Sequence, residues 1–209
     1  VYPVSSRNDK DFMNLLDVYM DAVFNPRIYE NPNIFYQEGW HYEIDENDKL
    51  NVVGVVHGEM TGAFSSVDEI KYENILSMLY KDNTYSCCSG GNPKNIPDLT
   101  YEMFIENHQK FYHPTNAKVF LDGTMDIEKV LNHMDDNYFS KYEYRNDDYV
   151  IPYQEKIKYT EKEVTYGISE NEDKTNKAHL VMGKVISKYK DVLKIIALAV
   201  LRDYLTGSN

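Results

Sequence analysis

Cysteine is nearly missing. Cys87 and Cys88 are the only two in 209 residues. Neighbouring residues reach disulfide geometry only with strain, so no stabilising crosslink is expected and a reducing compartment is implied. Glycine and proline are sparse, at 10 and 7, which excludes collagenous and low-complexity chains. With 42% apolar and 27% charged residues the chain falls among globular proteins that fold on packing alone. Long apolar runs are missing too: the longest, Val192 to Leu201, contains Lys194 and falls well short of the roughly 20 residues that cross a bilayer, so no membrane partner is expected. Neither a basic stretch nor an apolar core follows Val1, and no secretory signal is expected. Positive charge is the last deficit. Against 34 Asp and Glu stand 22 Lys and Arg, a net charge of −12 that excludes nucleic acid as a partner, because a duplex needs clustered cations. Basic peptides or metal ions suit such a field, and an ordinary solvated acidic surface accounts for the same excess.

What is present reads as alternating helices and short apolar runs. Phe12, Leu15, Leu16, Tyr19 and Val23 recur at spacings of three and four, predicting a helix over 9–24 with caps offered by Ser5, Ser6 or Asn8 and an end at Asn25-Pro26. Residues 34–43 are aromatic-rich and compatible with either helix or strand, and the lone Trp40 reads as core. The β-branched run at 50–57 predicts a strand. Further helices are expected at 66–80, at 100–112 behind a Thr100 cap, at 126–139 and at 190–205. Strands are expected at 116–122, 155–167 and 177–186. The turn-rich stretch 81–99, with Ser89-Gly90-Gly91-Asn92-Pro93, is long enough to wrap a site. The last helix is apolar on every side, so its cover is expected outside these 209 residues. Together these elements predict an α+β architecture, helices packed on a largely antiparallel sheet, with a polar acidic connector at 143–153.

Chemistry-bearing motifs are few. The six histidines and two cysteines form no His-x-x-Glu-His, His-Glu-x-x-His or Cys-x-x-Cys, and Cys87-Cys88 lacks the spacer of a zinc deaminase. No Gly-x-Ser-x-Gly exists, and Gly90-Gly91 follows a helix rather than a strand, which reads as a turn and not a phosphate cradle. Glu59 is different, since it comes directly after an apolar run and before a helix. It reads either as an aimed carboxylate or as an N-terminal helix carboxylate favoured by the dipole. Glu38 reads as a surface carboxylate on its own sequence.

Five blocks occur in one order: YPVSSRNDKDFMNLLDVYMDAVFNP, FYQEGWHYE, GVVHGEMTGAFSS, SGGNPKNIPDLTYEMF and FYHPTNAKVFLDG. They resemble the presequence-protease branch of the pitrilysin and insulinase zinc metallopeptidases, closely over residues 1 to about 140 and more weakly over 150–209. The resemblance implies that Glu59 is a zinc ligand, the glutamate that completes a site begun by two histidines of a His-x-x-Glu-His helix. The block departs from the family at Gly58, usually Asn, and at Thr61, usually Lys, while the carboxylate is kept. Glu38 matches a family carboxylate that orients a zinc-bound histidine. The His-x-x-Glu-His helix, with its general base, is expected upstream of Val1.

The resemblance therefore implies a pitrilysin-type metallohydrolase fold, with residues 1–142 the later part of one α+β domain and 154–209 the beginning of a second. It implies a zinc-dependent endopeptidase that degrades unfolded peptides, basic ones included, once joined to the rest of its chain, with Zn2+ as cofactor and these 209 residues inactive alone. The competing expectation is a non-catalytic peptide-binding subunit or interaction domain of the same fold. Free cysteines and the Asn-, Lys- and Tyr-rich composition suggest a bacterial cytoplasm, while the branch also has organellar members.

Overall fold

A computed structural model describes residues 1–146, 149–186, 188 and 190–207. Residues 147 and 148 of the expected connector, and 208 and 209 after the last helix, lie outside the described residues. The elements run α1 (Asp9–Phe24), α2 (Asn33–Glu38), β1 (His41–Ile44), β2 (Leu50–Val53), α3 (Val55–Ala63), α4 (Val67–Leu79), α5 (Tyr101–Phe111), α6 (Ile127–Asn137) and α7 (Val192–Thr206), with short 3-10 turns between them. The chain divides into two compact units, residues 1–58 with 94–149, and 59–93 with the described part of 150–209.

In the first unit α1 and α6 make the core. Leu16 on α1 is buried with Val130 and Met134 on α6, and Phe12, Met13, Met20 and Phe139 close around them. Both helices start where the sequence supplies a side-chain acceptor for free backbone amides. Asn8 accepts from the amides of Lys10 and Asp11, and Asp126 accepts from that of Lys129. Phe24, Ile28, Phe35 and Ile96 are buried as well. Phe35 packs against Tyr101 and Phe104 of α5, and the Tyr101 hydroxyl donates to the Ile28 carbonyl at 2.6 Å. Thr100 caps α5 as its sequence predicts. The Trp40 indole donates to the Leu99 carbonyl at 2.8 Å, which satisfies the polar atom of a half-buried ring.

The sheet is an antiparallel hairpin of β1 and β2, registered His41 with Val53 and Ile44 with Leu50. Asp45 shapes its turn: Oδ1 accepts from the amides of Asn47 and Lys49, and Asp48 takes a left-handed φ of 58°. These bonds hold the exposed Asp45 carboxyl below its usual range, the Lys49 amide contributing most. The strand expected over 50–57 stops at Val53. Its partner β1 begins at His41, so the ladder runs out there, and Gly54 at φ 153° turns the chain into α3.

The second unit is built on α4. Segment 177–186 passes so close to this helix at Gly183 that an added Cβ would lie 2.8 Å from Ile75 and 2.9 Å from Leu79. Lys162 donates to Asn74 at 2.7 Å, and Gln154 accepts from the Asp82 amide at 3.0 Å. The strands expected at 116–122, 155–167 and 177–186 are absent among the described residues, where these stretches are irregular. Alternation makes a strand only where a neighbour supplies a ladder for its amides and carbonyls, and no described segment pairs with these. The last helix forms at Val192–Thr206 with an open apolar surface; Leu193 and Tyr204 are 85% and 83% exposed. No helix among the described residues is long and apolar enough to cross a membrane. Helices outweigh the two-stranded sheet, an α+β composition less sheet-rich than expected.

Candidate functional site

The chain enters α3 through a close approach of two glycines. Gly39 ends α2 and Gly54 follows β2, and a Cβ on Gly54 would fall 2.2 Å from the Gly39 carbonyl oxygen and 2.8 Å from the Trp40 Cα. Only glycine fits this crossing. The His57 amide then reaches the Gly39 carbonyl at 3.4 Å, tying the first turn of α3 to the end of α2. Glu59 is the fifth residue of α3, one turn into the helix rather than ahead of it. Its carboxylate is exposed, and Gly58 and Gly62 beside it have nothing within 4 Å of where a Cβ would stand. This stretch of α3 is an open, side-chain-poor surface with a carboxylate on it.

Glu38 closes α2 immediately before Gly39 and is likewise exposed, with the Gln37 amide donating to it at 3.3 Å. Both carboxylates therefore lie next to the glycine crossing in sequence, and neither is buried in a protein ion pair. Ser66 is the N-cap of α4 without a side-chain bond, and the Ser65 hydroxyl turns back to the Gly62 carbonyl at 2.6 Å.

A catalytic zinc requires three protein donors and an open position. Glu59 offers one. Four of the histidines are engaged elsewhere: His41 with the Tyr36 carbonyl, His108 with Val23 and Tyr29, His113 with Thr115, and His133 with Asp17. Among the described residues no group of three metal-capable side chains includes Glu59.

The group that does form is Glu69, Glu73 and Cys88, whose ligand atoms all lie within 4.8 Å of one another and are partly buried. Glu69 and Glu73 stand one turn apart on α4, hence on one face. Cys88 is brought to them by the turn-rich loop, where the Gly91 amide donates to the Cys88 carbonyl at 3.1 Å. Burial pushes the Cys88 thiol up, and the neighbouring Glu73 carboxylate adds to this. Sequence reasoning missed the set because its members are a helical pair and a loop residue 15 positions on. The i, i+4 glutamates were the available signal.

A family model described as the Peptidase M16 inactive domain matches residues 98–209, more than half of the chain. The chain belongs to the M16 peptidase family. Several of its relatives are named presequence protease. Protein HypA of Clostridium perfringens is 47% identical over 211 aligned positions, covering all of this chain and 22% of the relative. Presequence protease 1, chloroplastic/mitochondrial, of Arabidopsis thaliana is 48% identical over 126 positions, 60% of this chain and 12% of the relative. The mitochondrial presequence protease of Drosophila melanogaster is 40% identical over 155 positions, 72% of this chain and 15% of the relative. The chain thus spans about a fifth or less of the length of these curated M16 relatives. Glu38 and Glu59 both precede the stretch that the M16 model matches.

Proposed function

We propose that this chain is part of a zinc-dependent metalloendopeptidase that degrades unfolded peptides, and that Glu59 is one of its zinc ligands. The observation that carries this reading is membership of the M16 family, with relatives named presequence protease at 40–48% identity. The exposed setting of Glu59 on an open helix surface supports it, since a carboxylate that joins donors from elsewhere must face outward. A bound zinc would polarise the peptide carbonyl and lower the pKa of a water. The part of this chain is to supply one carboxylate from α3. Glu38 serves as a positioning carboxylate at the end of α2.

On this reading residues 1–142 are the later part of one peptidase-type domain, 143–153 a connector and 154–209 the beginning of a second. The negative charge of −12 favours basic peptides. The 209 residues alone do not hydrolyse peptide, because they contain no His-x-x-Glu-His to join Glu59 on the catalytic zinc. The protein works in a bacterial cytoplasm, as suits its likeness to a Clostridium perfringens protein; the relatives named mitochondrial or chloroplastic support the organellar alternative.

A second reading is favoured by one observation, the description of the matching model as an inactive domain. It makes the protein a non-catalytic, peptide-binding member of the same fold. Glu59→Gln in the full-length protein separates the two. The proposed function expects the Glu59→Gln variant to bind one zinc fewer per molecule than the unaltered protein and to lose peptide cleavage. An unaltered protein that binds peptide without cleaving it establishes the second reading. A variant that keeps its zinc and its activity removes Glu59 from the site.

A further inference from the structure

We propose that Glu69, Glu73 and Cys88 form a binding site for a divalent cation of the zinc class, with all three donors supplied by this chain. The set is neither a run of acidic groups nor a single thiol. It joins two carboxylates on one face of α4 to a sulfur delivered by a separate loop, and the three ligand atoms converge within 4.8 Å. An ion with bonds of about 2.0–2.3 Å holds its ligands roughly 3.3–3.8 Å apart in a tetrahedron, so closing the set takes about an ångström of side-chain movement. The fourth position is left for water.

Two further features fit a cation. Glutamates four residues apart repel each other on a helix, and the one cation of α4, Lys71, is paired with Asp68 at 2.5 Å instead. The loop is also packed in place: a Cβ on Gly90 would stand 2.4 Å from the Met60 sulfur, so the turn following Cys88 lies directly against α3. The thiol selects the class of ion, since calcium and magnesium take oxygen donors whereas a thiolate favours zinc and its neighbours. Binding releases the Cys88 proton to solvent as the sulfur–metal bond forms. Cys87, adjacent and exposed, lies outside the group.

Cobalt(II), titrated into the metal-free full-length protein, tests this. A thiolate-to-cobalt charge-transfer band reports on a cysteine ligand, which the Glu59 site proposed above lacks, so the two proposals are read independently. The expected result is a band that saturates at one cobalt, persists in Cys87→Ser and Glu59→Gln, and vanishes in Cys88→Ser. Glu69→Gln and Glu73→Gln each weaken the binding about tenfold or more. Absence of the band, its survival in Cys88→Ser, or unchanged affinity in both glutamine variants overturns the proposal. Should Cys88→Ser fail to fold, zinc protection of Cys88 against alkylation in Cys87→Ser decides; equal alkylation with and without zinc overturns it.

Discussion

Asp17 Oδ1 on α1 lies 2.6 Å from His133 Nε2 on α6, and the same oxygen accepts from the Tyr138 hydroxyl at 3.0 Å. The Asn137 amide faces the other imidazole nitrogen of His133 at 3.3 Å, so both ring nitrogens are occupied within the fold. These bonds clamp the two helices beside the Leu16–Val130–Met134 core. The cluster is structural rather than catalytic. Asp17→Ala leaves His133 Nε2 without its acceptor and Tyr138 with only the Asp17 backbone carbonyl, and is expected to cost about 1–3 kcal/mol, measured as a lowered urea midpoint. An unchanged midpoint means that the clamp contributes nothing.

The same clamp predicts an alkaline limit. Burial, followed by the bond to Asp17, pushes the Tyr138 hydroxyl up to about 12 from a usual 10.0. The folded state therefore holds the phenolic proton more tightly than the unfolded chain. Its contribution is complete below pH 10 and is lost as pH rises through about 12. Tyr138→Phe should flatten the fall in stability across this window. A variant that loses stability as steeply as the parent places the alkaline transition elsewhere.

His108 sets an acidic limit in the opposite sense. Its Nε2 must donate to the Val23 carbonyl at 3.1 Å, which leaves Nδ1 to accept from the Tyr29 hydroxyl at 2.6 Å. Burial lowers its pKa from 6.5, against a smaller upward pull from the Val23 bond. The unfolded chain thus binds the extra proton first, and stability present above about pH 6.5 is lost as the pH falls through the depressed folded value. Equilibrium unfolding between neutrality and mild acid should show this slope in the parent and a shallower one in His108→Gln. Equal slopes would sink the assignment.

Gly54 and Gly58 are four residues apart and should respond to alanine in opposite directions. At Gly54 a Cβ meets backbone atoms at 2.2–2.8 Å and a φ of 153°, so Gly54→Ala is expected to destabilise by about 1–3 kcal/mol or to prevent folding. Gly58 lies in α3 with open space around it, and Gly58→Ala should gain up to roughly 1 kcal/mol of helix propensity. Thermal melts of the two variants give the comparison. A destabilised Gly58→Ala would show that the open surface of α3 is covered in solution.

The helices were legible wherever a local signal existed. Asn8 and Thr100 are caps in the sequence and caps in the fold, because capping needs only neighbouring residues. Strands are different, since they depend on distant partners. Alternation at 155–167 and 177–186 found no ladder, and the 50–57 run was cut at Gly54 by the length of β1. Of the site, Glu59 and Glu38 were reached through resemblance, and the turn between them rests on a contact between Gly39 and Gly54 that no spacing rule displays. The Glu69–Glu73–Cys88 grouping was hidden for the same reason.

Glu38 carries the last prediction, which separates positioning from mere surface charge. It precedes Gly39, whose carbonyl accepts from the His57 amide, so the end of α2 is linked to the helix that holds Glu59. If Glu38 orients a zinc-bound histidine in the assembled site, Glu38→Gln keeps the hydrogen-bonding shape and loses the charge that raises the ligand's basicity. In the full-length protein the expected outcome is a kcat lowered by about 10–100-fold with KM nearly unchanged, weaker zinc retention against a chelator, and a shifted acid limb of the pH–rate profile. Glu38→Asp should recover part of the activity. A Glu38→Gln enzyme with unaltered kcat, chelator resistance and pH profile would leave Glu38 as a solvated carboxylate at the end of a helix and Glu59 as the sole contribution of this chain to the metal site.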